Sequence, residues 1–291
     1  ITADSRTLDD AAVGTLAVSF KDSGYGASVV IVVDLDDTLA TVGAGADITA
    51  LGNKAADVRN GVHDDDGNQG TQSVNGFALE ATSYEDHLLL AIGAAGTIEA
   101  KKTGLGLSVT VDVNKGKTQA TIGDGATVNA VNTGANAAQD ILVRAVDVTN
   151  IDSAAGGAAI GGQTAIGGAF TVVIVTNDVQ AVALGNNVLN AADDVTFDAQ
   201  THGDTFSLAI SVAGVLATNS ESNSNDNSGG STNFAGAGSG TGNTYTNSTV
   251  AEIRAGSSVD AGGDLTLTAL DDTSITGDAG GASLLLDLNN S

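Results

Sequence analysis

The acidic run at residues 64–68, Asp-Asp-Asp-Gly-Asn, has the residue types and spacing closest to a metal site in this sequence. Carboxylate and amide oxygens at alternate positions are the ligands that protein loops present to Ca²⁺. The pattern predicts a calcium site formed by Asp64, Asp66 and Asn68. The glycine is misplaced for a helix–loop–helix calcium loop, and Asn75 stands where that loop needs an acid. An ordinary acidic turn is therefore the alternative.

The three histidines, His63, His87 and His202, are candidates for acid–base or metal chemistry. Their neighbours are typical of strand ends and turns, so we predict that all three face solvent. No nucleophile-elbow sequence occurs, so the sequence indicates no Ser-His-Asp arrangement. We predict no catalytic residue and no cofactor, with calcium as the one exception.

Charge excludes several classes of partner. Ten Lys and Arg oppose 35 Asp and Glu, which gives a net charge of −25, whereas nucleic-acid binding needs clustered basic residues. Enzymes that cleave acidic polysaccharides also need cationic groups beside the substrate, although hydrolysis by paired carboxylates stays open. No apolar run approaches the length of about 20 residues that spans a bilayer, so we predict no membrane insertion.

An internal repeat indicates the scaffold that must position these residues. The phrase T-Q-A-T-I-G-D-G-A-T-V-N-A at 118–130 recurs in related forms at 38–50, 179–191 and 249–261. Successive copies start 80, 61 and 70 residues apart. The chain therefore divides into about four irregular units of 60–80 residues, forming one array over 1–291.

The units are predicted to consist of β-strands. Apolar and polar residues alternate over short runs bounded by Gly, Asn and Asp, and no long segment has helical periodicity. Aromatic residues make up only 3% of the chain, so the core must be narrow and aliphatic. Unequal units argue against a propeller. We predict an all-β parallel β-solenoid with very low helix content. Each unit would supply about three coils of roughly 20–25 residues, giving a rod about 60 Å long.

A second recurring element joins a Gly-rich segment to an apolar strand, and its clearest copy is 106–114. There Ser108, Thr110 and Asp112 are interpreted as outward-facing. With Asp34 also facing outward, the other copies carry apolar side chains on both faces. We predict an apolar assembly face formed by Val30, Val32, Val172, Ile174 and Leu285. Its cover would be a loop of the same chain or another copy of the molecule.

Residues 218–248 interrupt the repeat with a Ser/Asn/Gly-rich composition. We predict a loop insertion here, either a flexible excursion from the coil or a recognition loop. Residues 1–10 resemble the interior segment 267–275, and neither end shows a polar capping element. We therefore expect a fragment of a longer array, or a protomer whose copies join end to end.

The strings V-D-A-G-G-D-L-T-L-T-A at 259–269 and A-T-I-G-D-G-A-T-V-N-A at 120–130 resemble repeats of giant bacterial exoproteins of the filamentous haemagglutinin-like type. The resemblance implies a right-handed parallel β-helix, secreted or on the cell surface, that serves as an adhesin or structural fibre. It carries over no catalytic residue.

Three functions follow as hypotheses. We favour a structural, non-enzymatic, extracellular stalk or filament segment that self-associates end to end and laterally. The alternative is a surface adhesin module that binds a host surface or a polysaccharide. The third is a polysaccharide-active enzyme on the same fold.

Overall fold

The computed structural model describes residues 1–63, 68–217 and 233–287, and within these ranges the regular structure consists of β-strands with no helix. The strands are β1 (Thr2–Ser19), β2 (Gly24–Val42), β3 (Asp47–Ile48), β4 (Ala55–His63), β5 (Gln69–Thr97), β6 (Thr103–Ile122), β7 (Thr127–Val128), β8 (Asp140–Gly161), β9 (Thr164–Ala183), β10 (Val188–Ala191), β11 (Val195–Ala217), β12 (Phe234–Ile253), β13 (Ser258–Ala261) and β14 (Leu265–Asp287). The described residues contain no helix that could span a membrane.

The strands form three parallel stacks. Sheet A has the order β1-β5-β8-β11-β14, sheet B the order β2-β6-β9-β12 and sheet C the order β3-β7-β10-β13. The chain visits sheets A, B and C in turn and then starts again, so each circuit forms one coil. The expectation of an all-β chain with parallel strands is confirmed, and stacked coils of this kind fit a β-solenoid.

The repeat spacing equals the offset between paired strands. Thr38 pairs with Thr118, Thr118 with Val179, and Val179 with Thr249, and these four residues open the four copies of the phrase. Each unit therefore forms one coil, and the expectation of three short coils per unit is wrong. The four described coils stack to about 20 Å rather than about 60 Å. The Gly-rich segments of the second recurring element lie inside strands of about 20 residues.

One position explains why the phrase recurs. Its eighth residue, in the turn between sheets B and C, is Gly45, Gly125, Asn186 or Gly256, and all four have positive φ angles of 50–84°. An L side chain rarely tolerates this conformation, and Asn is among the residues that do. The phrase recurs within the chain because its turn needs a residue with left-handed backbone conformation in every coil.

Each coil has two regions, which we call the base and the arm. The base surrounds sheet C and holds the main apolar core. Its largest members include Phe77, Leu79, Ile141, Leu189 and Phe197, all at most 5% exposed. The arm comprises residues 83–118 of the second coil and their paired residues in the other coils, where only sheets A and B face each other.

At the end of the arm the two sheets touch through their backbones. A Cβ atom at Gly93 would overlap the carbonyl oxygen of Leu107, and one at Gly106 would overlap that of Ala158. Small residues such as Ala159, Ala165 and Ala213 form the remaining core there. Glycine is therefore required by close approach rather than by turn geometry.

A hairpin of the same chain covers part of sheet A. Strand β4 pairs antiparallel with the beginning of β5 and lies over the outer side of the base. The Arg59 amide donates a hydrogen bond to Glu80 Oε2 at 3.0 Å, and Arg144 Nε lies 3.1 Å from Asp198 Oδ2 beneath the hairpin. Burial is the main cause that raises the pKa of Glu80, and the Arg144 charge opposes it.

The predicted loop at 218–248 is corrected for its second half. Residues 218–232 lie outside the described residues, but residues 234–248 belong to β12, which pairs continuously with β9 from Phe234 to Ile253. Glycine, serine and asparagine fit a strand here because the side of β12 that carries the alternate glycines from Gly236 to Gly242 lies beside bulky side chains of β9 such as Phe170.

Candidate functional site: a polar interior beneath apolar outer faces

Strand β6 shows that the arm reverses the usual distribution of polar and apolar residues. Ser108, Thr110 and Asp112 are fully buried between the sheets, whereas Val109 and Val111 face outward and are half-buried. The prediction that these three polar side chains face solvent is wrong. The alternation was visible in the sequence, but the side that faces inward was not.

The same inversion corrects Val30 and Val32. Val30 is 4% exposed and packs with Leu89 and Ala91 in the interior, and Val32 packs beside this cluster. The outward prediction for both residues depends on an outward Asp34, but Asp34 shares their inward side. The outward residues of β2 are instead the exposed Val29, Ile31, Val33 and Leu35.

The remaining predicted assembly residues lie in two places. On β9, Val172 and Ile174 face outward, since Val173 and Val175 between and beside them are fully buried. Leu285 is 45% exposed, but it pairs with the buried Val215 and so lies on the inner side of sheet A.

Outward apolar residues of sheet B form a continuous surface, which we call the outer B patch. Strand pairing aligns them in three rows across β2, β6 and β9: Val29, Val109 and Phe170; Ile31, Val111 and Val172; Val33, Val113 and Ile174. The next strand, β12, places Gly240, Gly242 and Thr244 in the same rows, so the patch ends there. Exposed apolar surface of this continuity is typical of an interaction site.

The opposite side of the arm carries a second apolar surface. A groove of about 480 Å³ crosses the outer side of sheet A. It is lined only by apolar residues and glycine, among them Leu16, Val18, Ile160, Val212 and Leu284. The end of the arm is therefore apolar on the outer side of sheet A, as sheet B is at the outer B patch, and no described segment of the chain covers either surface.

Inside the arm, short polar side chains connect sheet A to sheet B. The hydroxyls of Thr110 and Ser153 lie 2.6 Å apart, and Thr118 donates to Asp147 Oδ2 at 3.0 Å. Asn114 Nδ2 donates to Glu85 Oε2. Buried polar groups are tolerated when they are paired in this way, so the interior of the arm combines these cross-sheet bonds with small apolar clusters.

Two interior carboxylic acids are strongly affected by burial. Desolvation raises the pKa of Glu85 to about 8, and the neighbouring charge of Asp147 adds to the effect. Desolvation likewise raises the pKa of Asp147 to about 6, against the hydrogen bonds from Thr118 and Thr149. Each acid therefore holds a proton more firmly in the folded chain than in the unfolded chain.

His87 lies in the same polar interior of the arm, which contradicts the prediction that it faces solvent. Its side chain is fully buried, with Nδ1 2.9 Å from Asp112 Oδ2 and Nε2 3.6 Å from Asp34 Oδ2. The pKa of His87 is raised because the Asp112 hydrogen bond and nearby carboxylates outweigh its desolvation. The signal was present in the sequence, because His87 shares the odd-numbered side of β5 with the core residues Leu79 and Ala81.

The other two histidines line a polar groove beside the hairpin. The groove measures about 620 Å³ on the outer side of sheet A, and its lining includes His63, Tyr84, Asp152, His202 and Asp204. The rings of His63 and Tyr84 have centroids 4.8 Å apart. Burial raises the pKa of Asp152, and the charges of Asp86 and Asp204 add to that effect. We call this feature the hairpin groove.

The predicted calcium site falls largely outside the described residues. Asp64 and Asp66 are not among them, and Asn68 is an exposed residue that lines a smaller cleft with Asp4, Arg59 and His63. The calcium site therefore stays a prediction. Comparison with known proteins adds no functional assignment, because no family model, curated protein or solved structure matches the chain.

Proposed function

We propose that the chain is a structural, non-enzymatic segment of a right-handed parallel β-solenoid, and that its arm packs laterally against another copy. The observation that carries this proposal is the outer B patch: three neighbouring strands bear aligned Val, Ile and Phe side chains on their outward side. The handedness follows from the strong preference of parallel crossover connections for the right-handed form.

The distribution of residues supports self-association over a catalytic role. The patch carries no charged side chain in a molecule with a net charge of −25, so its composition differs from the rest of the surface. Polar residues that could have faced water there, such as Ser108 and Thr110, are buried instead. A sheet face that is apolar along several neighbouring strands is normally covered.

A second copy is the occupant that fits this patch. Its side chains repeat along the stack every 4.8 Å or so, the spacing of hydrogen-bonded strands. A partner with the same repeat can place its own side chains between these rows along the whole stack, as in sheet-on-sheet packing. Another copy of the chain has rows of side chains with this same repeat, so no different protein is required.

End-to-end contact would use the same parallel strand pairing that joins one coil to the next. Strands β1 and β14 each have one edge of sheet A with no pairing strand among the described residues. A further coil, whether from continuing chain or from another copy, would extend the parallel pairing at these edges. Leu285, on the inner side of β14, would then become part of a core. The extracellular location rests on the resemblance to filamentous haemagglutinin-like repeats.

The lateral contact is tested by one substitution on the patch. Val111→Lys should shift sedimentation velocity profiles toward the monomer at concentrations where the wild type associates, because a lysine cannot be buried between apolar sheets. Thr121→Lys, which faces outward on the same strand in the base, is the matched control and should associate like the wild type. A wild type that stays monomeric and forms no fibres in electron micrographs would contradict the proposal.

A polysaccharide-binding module is the second candidate, favoured by the hairpin groove. Its acids, imidazoles and Tyr84 provide hydrogen-bonding groups and an aromatic ring in one open groove. Calorimetry with neutral oligosaccharides should show binding that Asp204→Ala weakens and that Asp260→Ala, on the distant strand β13, leaves unchanged. If the protein cleaved the glycan and Asp152→Asn abolished that cleavage, the result would instead support the enzyme hypothesis and overturn the non-enzymatic one.

A further inference from the structure

The interior of the arm brings together three side chains, two from the first coil and one from the second, in the arrangement of metal ligands. One ligand atom from each of Asp9, Asp34 and His87 lies within 4.8 Å of the other two. Asp9 and His87 are paired neighbours on β1 and β5 of sheet A, and Asp34 approaches from β2 of sheet B. The apolar cluster of Val30, Leu89 and Ala91 lies on the same inward side of these strands.

Asp112 fixes the orientation of the His87 imidazole ring through the ring nitrogen that points away from Asp34. His87 Nδ1 lies 2.9 Å from Asp112 Oδ2, and both side chains are fully buried. Because a carboxylate accepts, the ring donates from Nδ1 and presents Nε2 to Asp34. Histidines that bind metals usually donate their other ring N–H to a carboxylate or carbonyl in this way.

The atoms that face the centre of this group are without hydrogen bonds. His87 Nε2 and Asp34 Oδ2 are both buried, and neither makes a hydrogen bond with any described residue. Leaving buried polar atoms unpaired is unfavourable. Their separation of 3.6 Å is too long for a hydrogen bond, but ligands of a tetrahedral ion with bonds of about 2.1 Å stand about 3.4 Å apart.

We propose that Asp9, Asp34 and His87 bind a divalent transition-metal ion of the Zn²⁺ type, with Asp112 as the residue that positions the histidine. A mixed set of one imidazole and two carboxylates suits Zn²⁺ and its neighbours, whereas Ca²⁺ and Mg²⁺ prefer oxygen ligands alone. The half-buried Asp9 and Asp34 give the ion a path from solvent. Bound there, it would link sheet A to sheet B and the first coil to the second.

The test uses the full chain after treatment with a chelator. Zn²⁺ is titrated by calorimetry in the presence of excess Ca²⁺, which occupies the many surface carboxylates. We expect one Zn²⁺ per chain, and Co²⁺ at the same site should show the visible absorption of a tetrahedral or five-coordinate centre. Asp9→Asn and Asp34→Asn should each weaken binding by about tenfold or more, and Asp112→Asn by about 10–100-fold through loss of ring orientation.

Matched controls come from the same strands. Asp10→Asn on β1 and Asp37→Asn on β2 remove the same charge from the outward side, so Zn²⁺ affinity should stay within about twofold of the wild type. A further measurement needs no substitution: Zn²⁺ should shift the nitrogen resonances of His87 in an NMR spectrum, while those of His63 and His202 stay in place.

Two results would overturn the proposal. One is equal Zn²⁺ affinity in Asp34→Asn and Asp37→Asn, which would show that binding depends on charge alone. The other is a His87 resonance that does not respond to saturating Zn²⁺. Either result would leave His87 as a buried ring held between Asp34 and Asp112 without a role in metal binding.

Discussion

The base and the arm are built from the same strands, yet the inward and outward sides of those strands have opposite polarity in the two regions. In the base, β8 directs Ile141 and Val143 into the core and Arg144 outward beneath the hairpin. In the arm, β6 directs Thr110 and Asp112 inward and Val111 outward. The alternation continues without interruption along each strand, so the reversal is not a change of register.

The distance between the facing sheets accounts for this difference. In the base, sheet C separates sheets A and B, and the space between them must be filled by large apolar side chains such as Phe197. In the arm, the sheets are close enough for the hydroxyls of Thr110 and Ser153 to lie 2.6 Å apart. Short polar residues can then satisfy each other across the gap, and apolar side chains such as Val111 face outward.

The largest effect is expected where the two sheets of the arm touch. Gly93→Val would force a side chain into the backbone of the opposite sheet and should lower the free energy of unfolding by at least about 4 kcal/mol. Urea denaturation measures this. Gly14→Val is the control, because a Cβ at Gly14 meets no heavy atom within 4 Å. Equal stability of the two variants would mean that the arm is not closed.

A pair of leucines on β5 compares the two regions directly. Leu79 in the base is fully buried and Leu88 in the arm is 50% exposed. Leu79→Ala should lower the free energy of unfolding by about 2–5 kcal/mol through the cavity it leaves, and Leu88→Ala by about 0.5 kcal/mol or less for the isolated chain. Thermal unfolding of dilute protein checks this, and similar losses in both variants would remove the distinction between inner and outer leucines.

Acidity should distinguish the arm from the base. The pKa of Asp147 is raised to about 6 by burial, so between the unfolded-state pKa and this value the folded chain binds more protons than the unfolded chain. Stability should therefore fall as pH rises from about 4 to 6, by at most about 1.4 kcal/mol per pH unit for one group. Unfolding curves at several pH values measure the slope.

Asp147→Asn is the control for that slope. The variant keeps the general repulsion of a chain with 35 acids but lacks the buried titrating group, so its stability should depend less on pH between 4 and 6. An identical slope in the variant and the wild type would show that Asp147 does not contribute, and would leave Glu85 and surface repulsion as the causes.

The smallest effect is expected from a single cross-sheet hydrogen bond. Thr110→Val leaves the buried Ser153 hydroxyl without its partner, and should lower the free energy of unfolding by about 1–2 kcal/mol. Adding Ser153→Ala removes the unpaired group and should recover most of the loss. If the double variant is no more stable than the single one, the polar interior of the arm does not depend on mutual pairing.

The sequence predicts the pairing of the coils better than the direction of their side chains. The four copies of the phrase opened by Thr118 align residue by residue, because the left-handed turn position must recur at the same place in each coil. The inward side could not be assigned in the same way. Alternation gives two sides, and the rule that carboxylates face water misassigned Asp34 and Asp112. Their common neighbour His87 lies on another sheet, 53 positions after Asp34 (87−34) and 25 before Asp112.

The length of the coil also affects how the chain can fold. Every parallel pairing in sheet B joins residues 61–80 positions apart, so no such strand finds its partner until a whole circuit has been traced. Closing loops of this size has an entropic cost that must be met before any ladder bond forms. We expect the docking of the first two coils to be the slow step, with later coils added onto a preformed template.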